Sequence, residues 1–278
     1  MQKATRAQGT GIPFYKLHGA GNDILVVFAK DLPRTGKAAF MRALCHRQLG
    51  IGADQVVEVL SLKPLSVQIW NQNGSKAEMC ANGSRVLLFL AAKEGWISPR
   101  AAEVPLKVSG AQYYGRKVKD GYELCLGAPT LNGFDRLDLA PLSIPYHEVN
   151  VGNPHAVILC GNGRGQFQTE SDFDFRQLGP RIETHAMFPE KINVEFVRSF
   201  ARKGKEVRAE VDVWERGAGA TLSCGSGAVA VAAVLKELQG ATKVAIVMNG
   251  FKLQVRFEGD KAYLSGPCTL VAKGSYFY

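Results

Sequence analysis

Two cysteines in this sequence stand in settings that can support acid–base chemistry. Cys80 opens the segment Cys-Ala-Asn-Gly-Ser and Cys224 opens Cys-Gly-Ser-Gly-Ala, and each segment runs into a long apolar stretch rich in aliphatic residues. Such a stretch predicts a buried helix with the thiol at its N-terminus. The unpaired N–H groups and the positive dipole end of a helix lower the pKa of a nearby thiol and attract anions.

The two cysteine segments are parts of a longer internal repeat. Trp70 precedes Cys80 by ten residues, and Trp214 precedes Cys224 by the same number. A second pair of motifs, each a Gly-Asn step followed by apolar β-type residues, repeats in the same order: Gly21-Asn22 and Gly152-Asn153. Two blocks that recur in the same order indicate a duplicated domain.

The repeat predicts an α+β fold of two pseudo-symmetric domains, each a curved mixed β-sheet or barrel around a central buried helix. The runs VQIW and VDVW predict a strand before each cysteine loop, and helices are expected from Gly83 to Glu94 and from Gly227 to Glu237. The expected domains are residues 1–127 with 266–278, carrying Cys80, and residues 128–265, carrying Cys224, with the active site at their interface. The polar stretch before Phe14 is expected to be a flexible extension that adds little to the core.

Composition argues against several other classes of protein. The net charge of +9 is spread along the chain without a block of like charges, which favours a solvated basic surface over nucleic-acid binding. No apolar run reaches the roughly 18 residues of a membrane span, so a cytoplasmic protein without a membrane partner is expected. The six cysteines are widely spaced without a C-x-x-C pair, which predicts neither a disulfide scaffold nor a metal site.

Two thiols related by pseudo-symmetry suit the inversion of a stereocentre. One thiolate removes the proton from one face of an α-carbon, and one thiol delivers a proton to the opposite face of the planar carbanion. Without a cofactor as electron sink, the charge that develops on the substrate carboxylate must be met by preorganised donors in a dry site. Two helix N-termini aimed at the same carboxylate supply such donors, so the sequence predicts a cofactor-independent amino-acid racemase.

At these residues the chain closely resembles the diaminopimelate epimerase family. The motifs that carry the resemblance occur in the family's order: FYKLHGAGND (14–23), GADQ (52–55), NQNGSKAEMCANGSR (71–85), GNPH (152–155), NVEFV (193–197) and ERGAGATLSCGSG (215–227). The resemblance implies interconversion of LL- and meso-2,6-diaminopimelate without pyridoxal phosphate or metal, feeding lysine and peptidoglycan synthesis. It also implies a homodimer.

The resemblance further implies roles for particular residues. Cys80 and Cys224 are the expected acid–base pair, and His155 is expected to support the site. The groups expected to hold the reacting end of the substrate are Asn22, Gln55, Asn82 and Asn153, with the backbone N–H groups of Ala81, Gly225 and Ser226. The groups expected to hold the non-reacting end are Asn71, Asn193, Glu215 and Arg216. Guanidinium suits a carboxylate through bidentate donors, and a carboxylate suits an ammonium, so these residues favour a substrate with two amino-acid ends.

The sequence departs from the family pattern at three positions. Ile24 stands where Phe is usual, Ala81 where Gly is common, and Ala220 where Glu is common. Ala81 can still donate its N–H if the backbone does not need a positive φ, whereas the missing carboxylate at Ala220 leaves the tuning of Cys224 open.

The nearest alternative function is that of a sister two-cysteine racemase that acts on proline, hydroxyproline or histidine. The groups expected at the non-reacting end argue against it, because such substrates have only one amino-acid end. The remote alternative is a basic nucleic-acid-binding protein, which would show salt-dependent affinity for polyanions.

Overall fold

The computed structural model describes residues 11–98, 100–119, 121–160 and 174–278. The strands of this part of the chain are β1 (Ile12–Gly19), β2 (Asn22–Phe28), β3 (Gln55–Leu62), β4 (Leu65–Asn71), β5 (Lys76–Ala77), β6 (Glu103–Val108), β7 (Ala111–Val118), β8 (Gly121–Cys125), β9 (Thr130–Leu139), β10 (Leu142–Asn150), β11 (Pro154–Leu159), β12 (Asn193–Lys203), β13 (Glu206–Glu215), β14 (Gly219–Ala220), β15 (Lys243–Met248), β16 (Phe251–Glu258), β17 (Lys261–Ser265) and β18 (Cys268–Tyr276). The helices are α1 (Lys37–Cys45), α2 (Ala81–Lys93), α3 (Phe175–Glu183) and α4 (Gly225–Gln239), with a 3-10 turn at Ala29–Asp31.

The chain divides into two compact units. Of the described residues, the first contains 11–19, 23–98, 100–114 and 268–278, and the second contains 20–22, 115–119, 121–160 and 174–267. The boundary therefore falls at Tyr114/Gly115 rather than at the expected 127/128. Pairing of β8 with β17, in which Leu124 lies opposite Leu264, explains the shift because it assigns the segment before residue 127 to the second unit.

The first unit is a mixed β-sheet that packs against the buried helix α2. β2 runs parallel to β3, β3 pairs antiparallel with β4, and β4 runs parallel to β6. β1 pairs antiparallel with the C-terminal strand β18. Helix α2 is apolar over most of its length, and ten of its residues from Ala81 to Ala91 are buried. A helix of this kind is stable only inside a wrapping of other elements.

The second unit repeats the same order of pairings. β11 runs parallel to β12, β12 pairs antiparallel with β13, and β13 runs parallel to β15. Helix α4 follows β13 and β14 as α2 follows β4 and β5, and it ends at Gly240, whose φ of 61° suits glycine. The duplication predicted from the sequence is confirmed by this matching topology, as are the α+β class and the two buried helices.

The first strand begins two residues before the predicted start of structure. The sequence marked Phe14 as the start of structure, yet β1 begins at Ile12, which is buried. Residues 1–10, the rest of the predicted flexible extension, lie outside the described residues. Every described helix is too short or too polar to cross a membrane.

Candidate active site

Cys80 caps the buried helix of the first unit. Its backbone is extended (φ −140°, ψ 110°), and its Sγ accepts a hydrogen bond of 3.1 Å from the N–H of Gly83. A Cβ on Gly83 would lie only 3.3 Å from the sulfur and 3.4 Å from Cδ1 of Ile24, so this turn leaves little spare room. The predicted position of the thiol at a helix N-terminus is confirmed.

Asn82 lies in the same turn and is held by a buried cation. Its Oδ1 accepts a hydrogen bond of 2.8 Å from Nη2 of Arg85, and both side chains are buried. Burial lowers the pKa of Arg85, while the charges of Cys268 and Cys80 act in the opposite direction. Arg85 carried no predicted role, although it lies in the motif NGSR.

Gln55 and Asn71 bind each other at neighbouring positions of β3 and β4. The Nε2 of Gln55 donates to Oδ1 of Asn71 at 3.1 Å, and Nδ2 of Asn71 donates to Oγ of Ser75 at 3.0 Å. These two amides were predicted to bind opposite ends of the substrate, whereas in this conformation they form one hydrogen-bonded pair. Asn22 is half-buried at the start of β2 and belongs to the second unit.

Cys224 caps the buried helix of the second unit in the same way. Its backbone is extended (φ −119°, ψ 119°), and its Sγ accepts a hydrogen bond of 3.3 Å from the N–H of Gly227. The hydroxyl of Ser226 lies 3.5 Å from the sulfur. Gly225 and Ser226 form the first turn of α4, so the backbone donors predicted for this site lie at a helix N-terminus.

The thiol of Cys224 is protonated at neutral pH in this conformation. Burial raises its pKa well above the ordinary value, and the carboxylates of Glu215 and Glu195 raise the pKa further. Hydrogen bonds from Ser226 and from the N–H of Gly227 lower it, but they do not compensate. The N–H of Gly227 lowers the pKa of Cys224, as predicted for a helix N-terminus, but desolvation and two nearby carboxylates outweigh this effect.

Glu215 is hydrogen-bonded to Cys224. It also belongs to the set of residues predicted to hold the non-reacting end of the substrate. Burial raises the pKa of Glu215, while hydrogen bonds with Thr221 and Cys224 act in the opposite direction. The Oγ1 of Thr221 donates to its carboxylate at 2.5 Å. A carboxylate hydrogen-bonded to Cys224 can accept the proton of that thiol. Ala220, the position where Glu is common, is an exposed residue of β14.

Asn153, His155 and Glu195 form a chain of hydrogen bonds in the second unit. Nε2 of His155 lies 3.0 Å from Oδ1 of Asn153, and Nδ1 lies 2.7 Å from Oε1 of Glu195. Nδ2 of Asn153 donates to Oγ of Ser226 at 3.5 Å, which links the chain to the first turn of α4. Glu195 lies in the NVEFV motif but carried no predicted role. A charged residue inside an apolar strand was the available signal.

Asn193 and Glu183 shape the turn that carries Arg216. Oδ1 of Asn193 accepts from the backbone N–H of Arg216 at 2.9 Å, and Nδ2 of Asn193 donates to the carbonyl of Pro154 at 2.9 Å. Glu183 accepts from the N–H of Gly217 at 3.0 Å and from Nε1 of Trp214 at 2.8 Å. These bonds fix the turn, and the exposed Arg216 donates from Nη1 to the carbonyl of Glu190 at 3.3 Å. Glu183 was missed because it lies in α3, far from every motif.

The remaining predicted donor, Ala81, is compatible with its role. It is the first residue of α2 and is buried, with the helical backbone that an alanine adopts without strain. No group of three or more His, Cys, Asp or Glu side chains among the described residues is arranged to hold a metal ion.

These features define a duplicated α+β protein with one cysteine at the start of the buried helix in each unit. The chain belongs to the diaminopimelate epimerase family, whose model matches residues 14–109 and 148–271. It is 36% identical over 288 residues to a diaminopimelate epimerase of Methanocella arvoryzae, covering 95% of this chain and 96% of the relative.

Solved structures share the fold at much lower sequence identity. A phenazine biosynthesis protein of the PhzF family from Enterococcus faecalis is 12% identical with a TM-score of 0.69, covering 97% of this chain and all of the other. A probable proline racemase from Agrobacterium radiobacter is 15% identical with a TM-score of 0.67, covering 95% and 92% of the two chains. At this identity the likeness concerns the fold alone.

Proposed function

We propose that this protein is a diaminopimelate epimerase that interconverts LL- and meso-2,6-diaminopimelate by proton exchange between two thiols. The observation that carries the proposal is the cysteine at the start of a buried helix in each unit, with its Sγ bound by an N–H of the first turn. Membership of the family supports the choice of substrate. The product would feed lysine and peptidoglycan synthesis.

The charges around the two thiols support different resting protonation states. The buried guanidinium of Arg85 interacts electrostatically with Cys80, whereas burial and the carboxylates of Glu215 and Glu195 raise the pKa of Cys224. In this state Cys80 is the base that removes the α-proton and Cys224 is the acid that delivers a proton to the opposite face. After one turnover the two protonation states are exchanged, which suits catalysis in the reverse direction.

Stabilisation of the carbanion lowers the activation barrier more than the proton transfer itself does. As the α-proton leaves, negative charge spreads onto the substrate carboxylate, and donors fixed in advance interact with it more strongly than with the ground state. The backbone N–H groups of Ala81, Gly225 and Ser226 and the amides of Asn82 and Asn153 are the proposed donors. Their supports are in place before the substrate binds, so little reorganisation is needed.

The non-reacting end of the substrate is the proposed ligand of the Arg216 turn. The guanidinium of Arg216 binds the distal carboxylate, and Asn193 and Glu183 hold the turn that presents it. Glu215 and Asn71 complete this set. Binding energy from the distal end orients the reacting α-carbon for proton exchange.

The proposal is tested by incubating the reduced protein with LL-diaminopimelate in D₂O, without added cofactor. Loss of the α-proton signal and appearance of the meso isomer are expected. Cys80→Ala and Cys224→Ala should abolish exchange, whereas Cys125→Ala, a half-buried cysteine of β8, should retain it. L-proline and L-histidine, run in parallel, test the sister racemase activity. Exchange with one of these alone would overturn the proposed substrate, and no exchange with any would overturn the catalytic proposal.

A cytoplasmic homodimer without nucleic-acid partners is part of the same proposal. The exposed apolar side chains of Val271, Phe277 and Tyr278 at the C-terminus support self-association. Sedimentation equilibrium should give twice the mass of the chain, and the Val271→Asp variant should shift the protein toward the monomer. Salt-dependent binding to DNA would contradict the absence of nucleic-acid partners.

A further inference from the structure

Helix α2 buries a charged residue about one turn after its start. Arg85 is completely buried and is the largest such side chain among the described residues. Removal of a charged group from water is costly, and the partial positive charge of a helix N-terminus adds to the cost for a cation. An arginine at this position therefore needs a reason beyond the local stability of the helix.

The second unit shows what the duplicated fold requires at this position. Val229 lies five residues after Cys224, as Arg85 lies five residues after Cys80. Val229 is also completely buried, in the same part of α4. An aliphatic side chain thus fills the equivalent position of the other buried helix. The positive charge of Arg85 is not a requirement of the fold, and it points to a task of the first unit.

The guanidinium of Arg85 reaches back to the first turn of α2. Side chains three residues apart lie on the same face of a helix and lean toward its N-terminus. Nη2 of Arg85 donates to Oδ1 of Asn82 at 2.8 Å, and Nη1 donates to Sγ of Cys268 on β18 at 3.7 Å. Burial raises the pKa of the Cys268 thiol, so its sulfur is an uncharged acceptor at neutral pH. Both terminal nitrogens of the guanidinium are thus held in place.

Strand β1 restricts the space around Asn82. A Cβ on Gly19 would lie 3.2 Å from the carbonyl oxygen of Asn82 and 3.4 Å from its Cβ. Gly19 is the pairing partner of Cys268 in the ladder between β1 and β18, so the strands that contact Asn82 and Arg85 are joined directly. Neither side chain of the 2.8 Å hydrogen bond can move far without disturbing this packing.

The chemistry of guanidinium determines which end of the Asn82 amide faces it. Arginine has five N–H donors and no acceptor, and it keeps its charge in proteins. The atom of Asn82 that accepts from Arg85 is therefore the oxygen, because an NH₂ group cannot accept. The NH₂ group, with two donors of its own, then lies at the other end of the amide.

We propose that Arg85 is a positioning residue that binds the amide oxygen of Asn82 and so directs its NH₂ group toward the reacting carboxylate of the substrate. The part that concerns the substrate rests on the proposed function, in which Asn82 is a donor. An amide turned the other way would present its oxygen, and an oxygen repels a carboxylate. Arginine permits one orientation of the amide, whereas an apolar neighbour permits both.

Kinetics test the consequence for the substrate. Arg85→Met keeps a long, flexible side chain but removes the donors and the charge. It should lower kcat for α-proton exchange about 100-fold, as for loss of one donor to developing negative charge, with a smaller effect on KM. Arg85→Lys keeps a charge and a donor, so it should lose less activity. Arg256→Met removes a cation that pairs with the buried Glu123 in the second unit, and it should leave kcat unchanged.

A double-mutant cycle tests whether Arg85 acts through Asn82. If it does, Arg85→Met combined with Asn82→Ala should exchange no more slowly than Asn82→Ala alone, within about twofold. A merely structural role for Arg85 predicts instead that the two losses multiply. Losses that multiply would overturn the proposal, as would an unchanged kcat in Arg85→Met or an Arg85→Lys variant as slow as Arg85→Met.

The contact itself is tested without turnover by ¹⁵N NMR of the Asn82 side-chain amide, assigned with Asn82→Ala. A carbonyl oxygen that accepts from a cation draws electron density from the amide nitrogen, so the Nδ2 signal should move upfield in Arg85→Met. A signal that does not move would overturn the proposal. If the unmodified protein exchanges no amino acid at all, the proposed function fails, and this measurement still decides whether Arg85 holds Asn82.

Discussion

The contact between Gly227 and Glu195 predicts that one added methyl group will disturb the second unit. In Gly227→Ala the new Cβ would lie 2.4 Å from Oε1 and 3.0 Å from Cδ of Glu195, against an ordinary contact of about 3.5 Å. The carboxylate must therefore move by about 1 Å. That displacement breaks the 2.7 Å hydrogen bond to His155, because neither side chain has free space around it.

The expected free-energy change has two opposing parts. Overpacking of a buried site costs about 1–3 kcal/mol. Alanine in place of glycine in a helix raises the free energy of unfolding by up to about 1 kcal/mol. The free energy of unfolding should therefore fall by up to about 2 kcal/mol. Catalysis should fall about 100-fold, since a displacement of this size near the reacting groups is costly.

Gly83→Ala is the matched control at the equivalent position of α2. Its Cβ would lie 3.3 Å from Sγ of Cys80, a tight contact that a shift of a few tenths of an ångström relieves. The helix-propensity gain should offset this, so the stability should be unchanged or up to about 1 kcal/mol higher. Urea midpoints and α-proton exchange rates of the two variants provide the comparison. Equal midpoints and equal exchange rates would refute the steric argument.

Three further predictions concern single side chains. Iodoacetamide should alkylate Cys80 before Cys224 at about pH 7.5, because burial and Glu215 raise the pKa of the Cys224 thiol. The Glu215→Gln variant should be alkylated faster at Cys224. Peptide mass spectrometry measures both rates. Burial opposes the charge on Glu183, but hydrogen bonds outweigh it and lower the pKa of Glu183, so its stabilisation is complete above the ordinary glutamate pKa of about 4.3 and is lost as the pH falls through the lower folded-state value. Urea midpoints at several pH values, with Glu183→Gln for comparison, measure this loss. Arg216→Lys should raise KM for diaminopimelate about 10-fold, because a lysine cannot make the bidentate contact.

Each of these predictions has a contrary result. Faster alkylation of Cys224 than of Cys80 would contradict the proposed resting states of the thiols. A Glu183→Gln variant whose midpoint falls with acid as steeply as that of the unmodified protein would show that Glu183 does not contribute to the acid sensitivity. An unchanged KM in Arg216→Lys would remove Arg216 from the proposed distal site.

The amino-acid sequence by itself was enough to predict the fold class, the duplication and the positions of both thiols. The spacing of Trp70 from Cys80 matches that of Trp214 from Cys224, and local signals of strand and helix surround each pair. Such features are properties of short segments, so they can be read without knowing which segments pack together.

Only the tertiary structure determined which charges surround each thiol. The approach of Glu195 to the first turn of α4 depends on pairing between β11, β12 and β13, and the support of the Arg216 turn by Glu183 depends on the packing of α3. For this reason the pKa of Cys224 is raised although its helix position predicts the opposite. Desolvation and charge act through space between residues distant in sequence, and a local pattern does not contain them.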